Sequence, residues 1–193
     1  TGAVVNNDYH ALTTELALGF KDFISPDAPD IYPEELRADI DALNVIIYAD
    51  FNLAVNLAAL VTNQKDYEYY YDRIFACLDW LEERLSKQRY LMGDTITDSD
   101  IRIFPTLARF DLVFYQKYLV NKKRLVDYPN LWNYAKDLYS NPAFGGTTDF
   151  DSMRKRFYYV DHTPFEDLPR LVPKGPDDSI WLEPNDRAEK FGK

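Results

Sequence analysis

The sequence predicts an all-α helical bundle followed by an extended, proline-rich C-terminal tail. Seven glycines among 193 residues are few for a chain built from strands and tight turns. Apolar residues recur at three- and four-residue intervals along several segments without proline, which is the period of a buried helix face. Beyond residue 159 that period is absent and prolines become frequent. These prolines are Pro164, Pro169, Pro173, Pro176 and Pro184.

The amino-acid composition limits which partners the protein can bind and in which compartment it is expected. The formal net charge is −10 and no block of lysine and arginine occurs, so a phosphate backbone would be repelled and we expect no nucleic acid partner. No apolar run approaches the roughly 20 residues that span a bilayer, and the N-terminus lacks a signal-peptide pattern, so we expect no membrane partner. A single cysteine forbids an internal disulfide and suits the cytoplasm. His10 and His162 are far apart, so no metal site is predicted.

The first 63 residues predict a short helix, a linker and a long helix. The spacing of Tyr9, Leu12, Leu16 and Phe20 is typical of one face of a short helix. Residues 25–32 contain two prolines and read as a linker. Pro33 suits the first turn of a helix, which no proline or glycine then interrupts until about Asn63.

The next helix, about residues 66–88, carries the clearest apolar stripe of the chain. Its members alternate between three- and four-residue spacing, which predicts antiparallel packing against another helix. They are Tyr67, Tyr71, Ile74, Leu78, Leu81 and Leu85.

A capped helix is predicted from Asp98 to about Tyr118. Thr97 is a natural N-cap, and Asp100, three residues later, forms an acidic variant of the capping box. Pro105 lies inside this helix and should bend it.

The remaining elements are two shorter helices and the tail. Pro129 opens a helix that runs through Tyr139, and Phe150, Met153 and Phe157 share one face of a last helix at about residues 149–159. The charged stretch from residue 177 to 193 is expected to fray.

Several segments in order resemble one protein family. Arg-Tyr-Leu-Met-Gly-Asp at 89–94, followed by Thr-Asp-Ser-Asp at 97–100, resembles the core helix signature of the glutathione transferase C-terminal domain. Leu-Ala-Arg-Phe-Asp at 107–111 and Asp-Tyr-Pro-Asn-Leu-Trp at 127–132 resemble more narrowly the glutathionyl-hydroquinone reductases, the Xi class of that superfamily. His162 and residues 171–176 resemble the tail of the same class.

The resemblance implies a division of the chain. Residues 1–22 would be the end of a thioredoxin-like N-terminal domain, 23–160 the helical domain with the glutathione transferase C-terminal fold, and 161–193 the extended tail. The chain begins with Thr rather than Met, which suggests a piece of a longer protein. The catalytic cysteine of the family lies in a Cys-Pro motif, and this sequence contains none. We therefore expect no catalytic residue and no bound thiol cofactor in this chain alone.

The resemblance also implies binding residues. Asp8 and Tyr9 match the Glu-Ser pair that holds the γ-glutamyl end of glutathione in the family. The family's two substrate-facing tyrosines fall at Asn56 and Phe114, so both phenolic hydroxyls are lost. Tyr115 is adjacent to Phe114, but neighbouring helical residues point about 100° apart. The predicted electrophile-binding residues are Asn56, Phe114, Tyr115 and Tyr118.

Three functions remain open at this level. The first is the substrate-pocket domain of a homodimeric, thiol-dependent reductase or transferase that acts on quinone conjugates with glutathione or another low-molecular-weight thiol. The second is a non-catalytic protein-interaction module, and the third is an unrelated all-α protein. Cys77, which has apolar neighbours, reads as a buried, inert thiol. Arg109 and Asp111 could reach a ligand, or form an internal salt bridge or a helix-end hydrogen bond.

Overall fold

The computed structural model describes residues 2–4, 6–25, 28–159 and 171–192. The described residues confirm the all-α prediction: they form no strand, and a single antiparallel bridge joins Tyr90 to Gly93. The α-helices are α1 (Tyr9–Gly19), α2 (Arg37–Ile47), α3 (Ala54–Leu60), α4 (Gln64–Leu85), α5 (Asp98–Arg109), α6 (Tyr115–Lys117), α7 (Pro129–Ser140), α8 (Pro142–Gly145), α9 (Phe150–Tyr159) and α10 (Arg187–Phe191).

Helices α2 to α5 and α7 enclose one hydrophobic core. The predicted stripe of α4 is confirmed at its centre, where Ile74, Leu78, Leu81 and Leu85 have no exposed surface. Its two tyrosines, Tyr67 and Tyr71, are only half-buried, because they lie at the open end of the bundle.

Two long helices predicted as continuous are each interrupted by a π turn. The first, Tyr48–Asn52, separates α2 from α3, and the second, Phe110–Phe114, separates α5 from α6. The rings of Phe51 and Phe110 lie 5.8 Å apart, so the two π turns pack against each other in the core. The bend that Pro105 was expected to cause stays a prediction, and the helix is interrupted five residues later by the second π turn.

One stretch, residues 34–60, is long and apolar enough by composition to cross a membrane, which corrects the expectation that no such stretch occurs. Its buried residues Ile40, Ile47 and Phe51 pack inside the bundle. Its polar side chains bond to α5: the Asn44 amide donates to Asp98 at 2.9 Å, and the Asn52 amide donates to a backbone carbonyl at 3.0 Å. A core helix of a bundle accounts for the same composition.

The end of the chain does not fray as expected. A 3₁₀ turn, Asp178–Leu182, and α10 pack on the bundle, and each contributes one buried side chain, Trp181 and Arg187. The Arg187 guanidinium donates to the carbonyl oxygens of Leu85 at 2.7 Å and Arg89 at 2.6 Å, at the end of α4. The buried side chains of Trp181 and Arg187 thus hold this stretch against the bundle, although the sequence around them has no helical periodicity. His162, Pro164 and Pro169 lie outside the described residues.

Helix α1 lies against the bundle on one side only. The Arg102 guanidinium, itself paired with Asp98 at 2.5 Å, donates to the His10 carbonyl at 2.8 Å and to the Thr13 hydroxyl at 2.6 Å. The apolar side chains of α1 and of the residues after it are exposed, contrary to what a packed amphipathic helix would show. They are Leu12, Leu16, Leu18, Phe20, Phe23 and Ile24.

Candidate functional site

A cavity of about 700 Å³ opens between the end of α3, the start of α4 and residues 117–119. It brings together two of the predicted site residues, Asn56 and Tyr118, which are 62 positions apart in sequence. Tyr67 also lines it, and its hydroxyl donates to the Leu119 carbonyl at 2.7 Å, which joins the two sides of the opening.

Asn56 keeps hydrogen-bonding capacity toward this cavity. Its amide Nδ2 donates to the carbonyl of Asn52, one turn back, at 2.9 Å. Among the described residues, no group donates to Asn56 Oδ1. The side chain is therefore oriented by its own helix while one acceptor stays available for a hydroxyl donor.

The rim of the cavity contains a cation and a strained residue that the sequence did not indicate. Lys117 Nζ donates to the Phe157 carbonyl and lies 5.5 Å from the centre of the Tyr158 ring. Leu119 has a backbone φ of +60°, in the left-handed region that costs a non-glycine residue about 1–2 kcal/mol. Such strain is found most often at binding and catalytic sites.

Both walls of the cavity follow a π turn. A π turn holds one residue more than an α turn, so it rotates the residues after it by about 100° relative to an unbroken α-helix. Asn56 follows the turn Tyr48–Asn52, and Tyr118 follows the turn Phe110–Phe114. The two turns thus set which residues of α3 and of the α6 end face the cavity.

The other two predicted electrophile-binding residues lie elsewhere. Phe114 is buried and packs on Tyr118 and Phe157, with ring centres 5.4 and 6.1 Å away, so it supports the cavity wall from beneath. Tyr115 lines a separate cavity of about 590 Å³ beside Asp111 and the tail. The expected 100° separation between residues 114 and 115 accounts for this difference.

Asp8 is the N-cap of α1, where its carboxylate accepts the backbone N–H of His10 at 2.9 Å. Tyr9 is the first residue of α1, and its side chain is outside the described part of the chain. Asp8 is not among the residues that line the cavity that contains Asn56. Their predicted role toward a thiol stays a prediction.

The predicted bond from Asp100 back to the N–H of Thr97 is confirmed, and Asp100 has more partners than expected. Asp100, fully buried, accepts the N–H and the hydroxyl of Thr97 at 2.8 and 2.9 Å, the N–H of Leu91 at 3.0 Å and the hydroxyl of Tyr134 at 2.7 Å. Burial raises the pKa of Asp100, and these donors oppose that rise. The carboxylate joins α5, the 91–97 loop and α7.

Arg109 and Asp111 form helix-end contacts. Arg109 donates to the Pro105 carbonyl at 2.6 Å. The Asp111 carboxylate accepts the backbone N–H groups of Leu125 at 2.6 Å and Val126 at 3.3 Å, and burial raises the pKa of Asp111. This pattern matches the helix-end alternative left open by the sequence.

The groups that could perform covalent or metal chemistry are sparse. Cys77 is buried, and burial raises the pKa of its thiol to about 12, so the thiolate is strongly disfavoured at neutral pH. Within the described residues, no group of three or more histidine, cysteine, aspartate or glutamate side chains could hold a metal ion. What this part of the chain offers is a binding cavity.

Comparisons with known proteins agree with this architecture. Residues 65–137 match the family model for the glutathione S-transferase C-terminal domain. The glutathionyl-hydroquinone reductase PcpF of Sphingobium chlorophenolicum is 35% identical over 173 residues, which cover 90% of this chain and 54% of that protein.

Solved structures give the same picture. The glutathione-S-transferase Xi from Phanerochaete chrysosporium is 35% identical, with a TM-score of 0.84 and coverage of 92% of this chain and 57% of that chain. The glutathione-bound structure of YqjG, a glutathione transferase homolog from Escherichia coli K-12, is 31% identical, with a TM-score of 0.89 and coverage of 98% and 60%. The chain spans about half the length of the curated relatives it matches.

Proposed function

Because this chain belongs to the glutathione S-transferase C-terminal domain family and is similar to its Xi class, we propose that it supplies the electrophile-binding wall of a thiol-dependent reductase or transferase. The observation that carries the proposal is the cavity where Asn56 and Tyr118 meet. Asn56 lies in a segment that matches one substrate-facing segment of the family, and Tyr118 lies three residues after the second such segment, which ends at Tyr115.

The chemistry of the lining suits a phenolic ring. Asn56 Oδ1 is placed to accept a hydroxyl hydrogen of a hydroquinone, and the phenol ring of Tyr118, which also packs on Phe114, lines the same cavity. Leu60 and Val61 supply apolar contact beside them. A hydroquinone carried as a thioether conjugate of a small thiol is therefore our proposed substrate class.

The covalent step is proposed to use a cysteine outside this sequence. A thiolate attacks the sulfur of the conjugate, the carbon–sulfur bond breaks, the ring carbon takes a proton, and a mixed disulfide and a free hydroquinone result. A second small thiol then attacks the mixed disulfide, which releases the first small thiol as a disulfide with the second and frees the enzyme cysteine. Cys77 cannot take this role because it is buried. The proposed thiol is glutathione or another low-molecular-weight thiol.

We further propose that residues 1–22, which include α1, are the end of a thioredoxin-like domain, and that the rest of that domain covers the exposed face of α1. The exposed side chains of Leu12, Leu16, Phe20 and Phe23 support this, since additional polypeptide would shield them from water. The same exposed face suits the alternative function, a protein-interaction module. The proposed compartment is the cytoplasm and the proposed assembly a homodimer.

The test compares the protein encoded by the complete gene with two variants, Asn56→Ala and Asn133→Ala. Asn133 is a matched control, because its amide also donates to the carbonyl four residues back, that of Pro129, at 3.0 Å, but it lines neither cavity described above. With a glutathionyl-hydroquinone as substrate, Asn56→Ala should raise KM about threefold to tenfold, the effect of one lost hydrogen bond. Asn133→Ala should leave KM unchanged.

Two results would contradict the proposal. If the complete protein is active and Asn56→Ala leaves its KM unchanged, the cavity that contains Asn56 is not the substrate site. A complete gene that encodes no Cys-Pro segment, together with no turnover, would support the interaction module instead. For this chain alone, we expect no measurable heat in a calorimetric titration with glutathione.

A further inference from the structure

A larger cavity, of about 900 Å³, lies on a different part of the bundle. None of its described lining residues lines the cavity that contains Asn56. It is bounded by the 29–36 segment, by α5 and by the region from α8 to α9. Its lining is mainly apolar and includes Ile31, Ile96, Phe104, Phe144 and Met153. The proposed function makes no use of it.

Among the described residues that line this cavity, Arg109 is the one cation. Its guanidinium donates to the Pro105 carbonyl at 2.6 Å and, within the described residues, pairs with no carboxylate. Burial lowers the pKa of Arg109, which reflects the partial loss of water around the charge without a compensating anion.

Two acidic residues also line the cavity, and neither neutralises Arg109. The Asp30 carboxylate accepts the backbone N–H of Tyr32 at 3.0 Å, and the side chain of Glu35 is exposed to solvent. The guanidinium therefore retains N–H donors beside a lining that is mainly apolar. Five donors in a planar fork match the geometry of a carboxylate.

An uncompensated, half-buried cation beside an apolar space is unfavourable unless an anion joins it. We propose that this cavity binds a carboxylate with an apolar body, of the kind of a medium-chain fatty acid. The carboxylate would bond to the guanidinium of Arg109, and the chain would lie against Phe104, Phe144 and Met153. This ligand is separate from the proposed hydroquinone conjugate.

The test is a calorimetric titration of this chain with decanoate and with decanol, which has the same chain length without the charge. The wild type should bind decanoate at least tenfold more tightly than decanol, the effect expected of a charge-assisted hydrogen bond. Arg109→Gln should weaken decanoate binding by about tenfold or more and leave decanol unaffected. Lys65→Gln, which removes the same charge from an exposed position outside the cavity, should change neither.

A blocking variant keeps the proposal open to refutation if Arg109→Gln alters folding. Ala143 is an exposed lining residue of α8, so Ala143→Trp should fill the cavity without disturbing the core and should abolish decanoate binding. The proposal fails if decanoate does not bind, if decanol binds equally well, or if Ala143→Trp leaves the decanoate affinity of a normally folded protein unchanged.

Discussion

The buried contact between Tyr134 and Asp100 permits a sharp test of what holds α5 to α7. Neither side chain has exposed surface, and the hydroxyl donates to Asp100 Oδ1 at 2.7 Å. Tyr134→Phe removes this hydroxyl and keeps the ring. Among the described residues, the carboxylate then retains its bonds to Thr97 and to the N–H of Leu91.

The expected loss follows from the charge of the acceptor. A hydrogen bond to a charged group contributes about 1.5–3 kcal/mol, and a buried partner left short of a donor puts the effect toward the upper half of that range. We expect Tyr134→Phe to lower the free energy of unfolding by about 2 kcal/mol. For a chain of this size, that corresponds to a fall of about 4–8 °C in Tm. Urea unfolding followed by far-ultraviolet circular dichroism measures the change directly.

Tyr128→Phe is the matched control. Tyr128 is equally buried, but its hydroxyl has no hydrogen-bond partner among the described residues. Removing this hydroxyl should leave stability unchanged within about 0.5 kcal/mol or raise it, since an unpaired buried polar group is unfavourable. The reasoning is refuted if Tyr134→Phe costs less than about 0.5 kcal/mol, or if both variants lose the same amount.

Three further predictions follow from single side chains. Arg187→Met should lower the free energy of unfolding in urea by about 3 kcal/mol, because carbonyls at the end of α4 lose their donor. Lys190→Met, on the exposed side of α10, should lower it by less than about 0.5 kcal/mol. Equal losses in the two variants would contradict this prediction. Leu119→Gly should raise the free energy of unfolding by up to about 1 kcal/mol, because glycine adopts the left-handed backbone conformation without strain. Ala76→Gly within α4 should lower the free energy of unfolding by a similar amount. A clear loss of stability in Leu119→Gly would refute the inference that Leu119 is strained. The thiol of Cys77, whose pKa burial raises to about 12, should stay unreactive to a thiol reagent at pH 8 until denaturant is added, so that immediate labelling of the native protein would show it accessible.

Local signals made much of the fold predictable. The N-cap and the acid three residues later announce the start of α5, Pro129 marks the first residue of α7, and the stripe of α4 appears in the sequence because every member lies within one helix. The two π turns were missed because one surplus residue barely changes the apolar period. The anchors Trp181 and Arg187 were missed because they occur in segments too short for a period.

The candidate site shows the same division. The family resemblance supplied Asn56 and Phe114 as a facing pair, whereas the cavity joins Asn56 to Tyr118. The roles of Tyr67 and Leu119 could not be predicted, since their contact joins residues 52 positions apart. Phe114 lies beneath the wall rather than on it, and it is the last residue of the π turn Phe110–Phe114, which the sequence did not indicate.

The packing of Trp181 gives the protein a built-in optical marker. Its indole lies 4.8 Å from that of Trp132, at an interplanar angle of 74°, so the two transitions should couple and produce a paired band in circular dichroism. Trp80, with 37% of its surface exposed, has no such neighbour among the described indoles and should emit like a partly hydrated residue. Undocking of residues 178–192 could therefore be followed by spectroscopy, separately from unfolding of the bundle and without an added label.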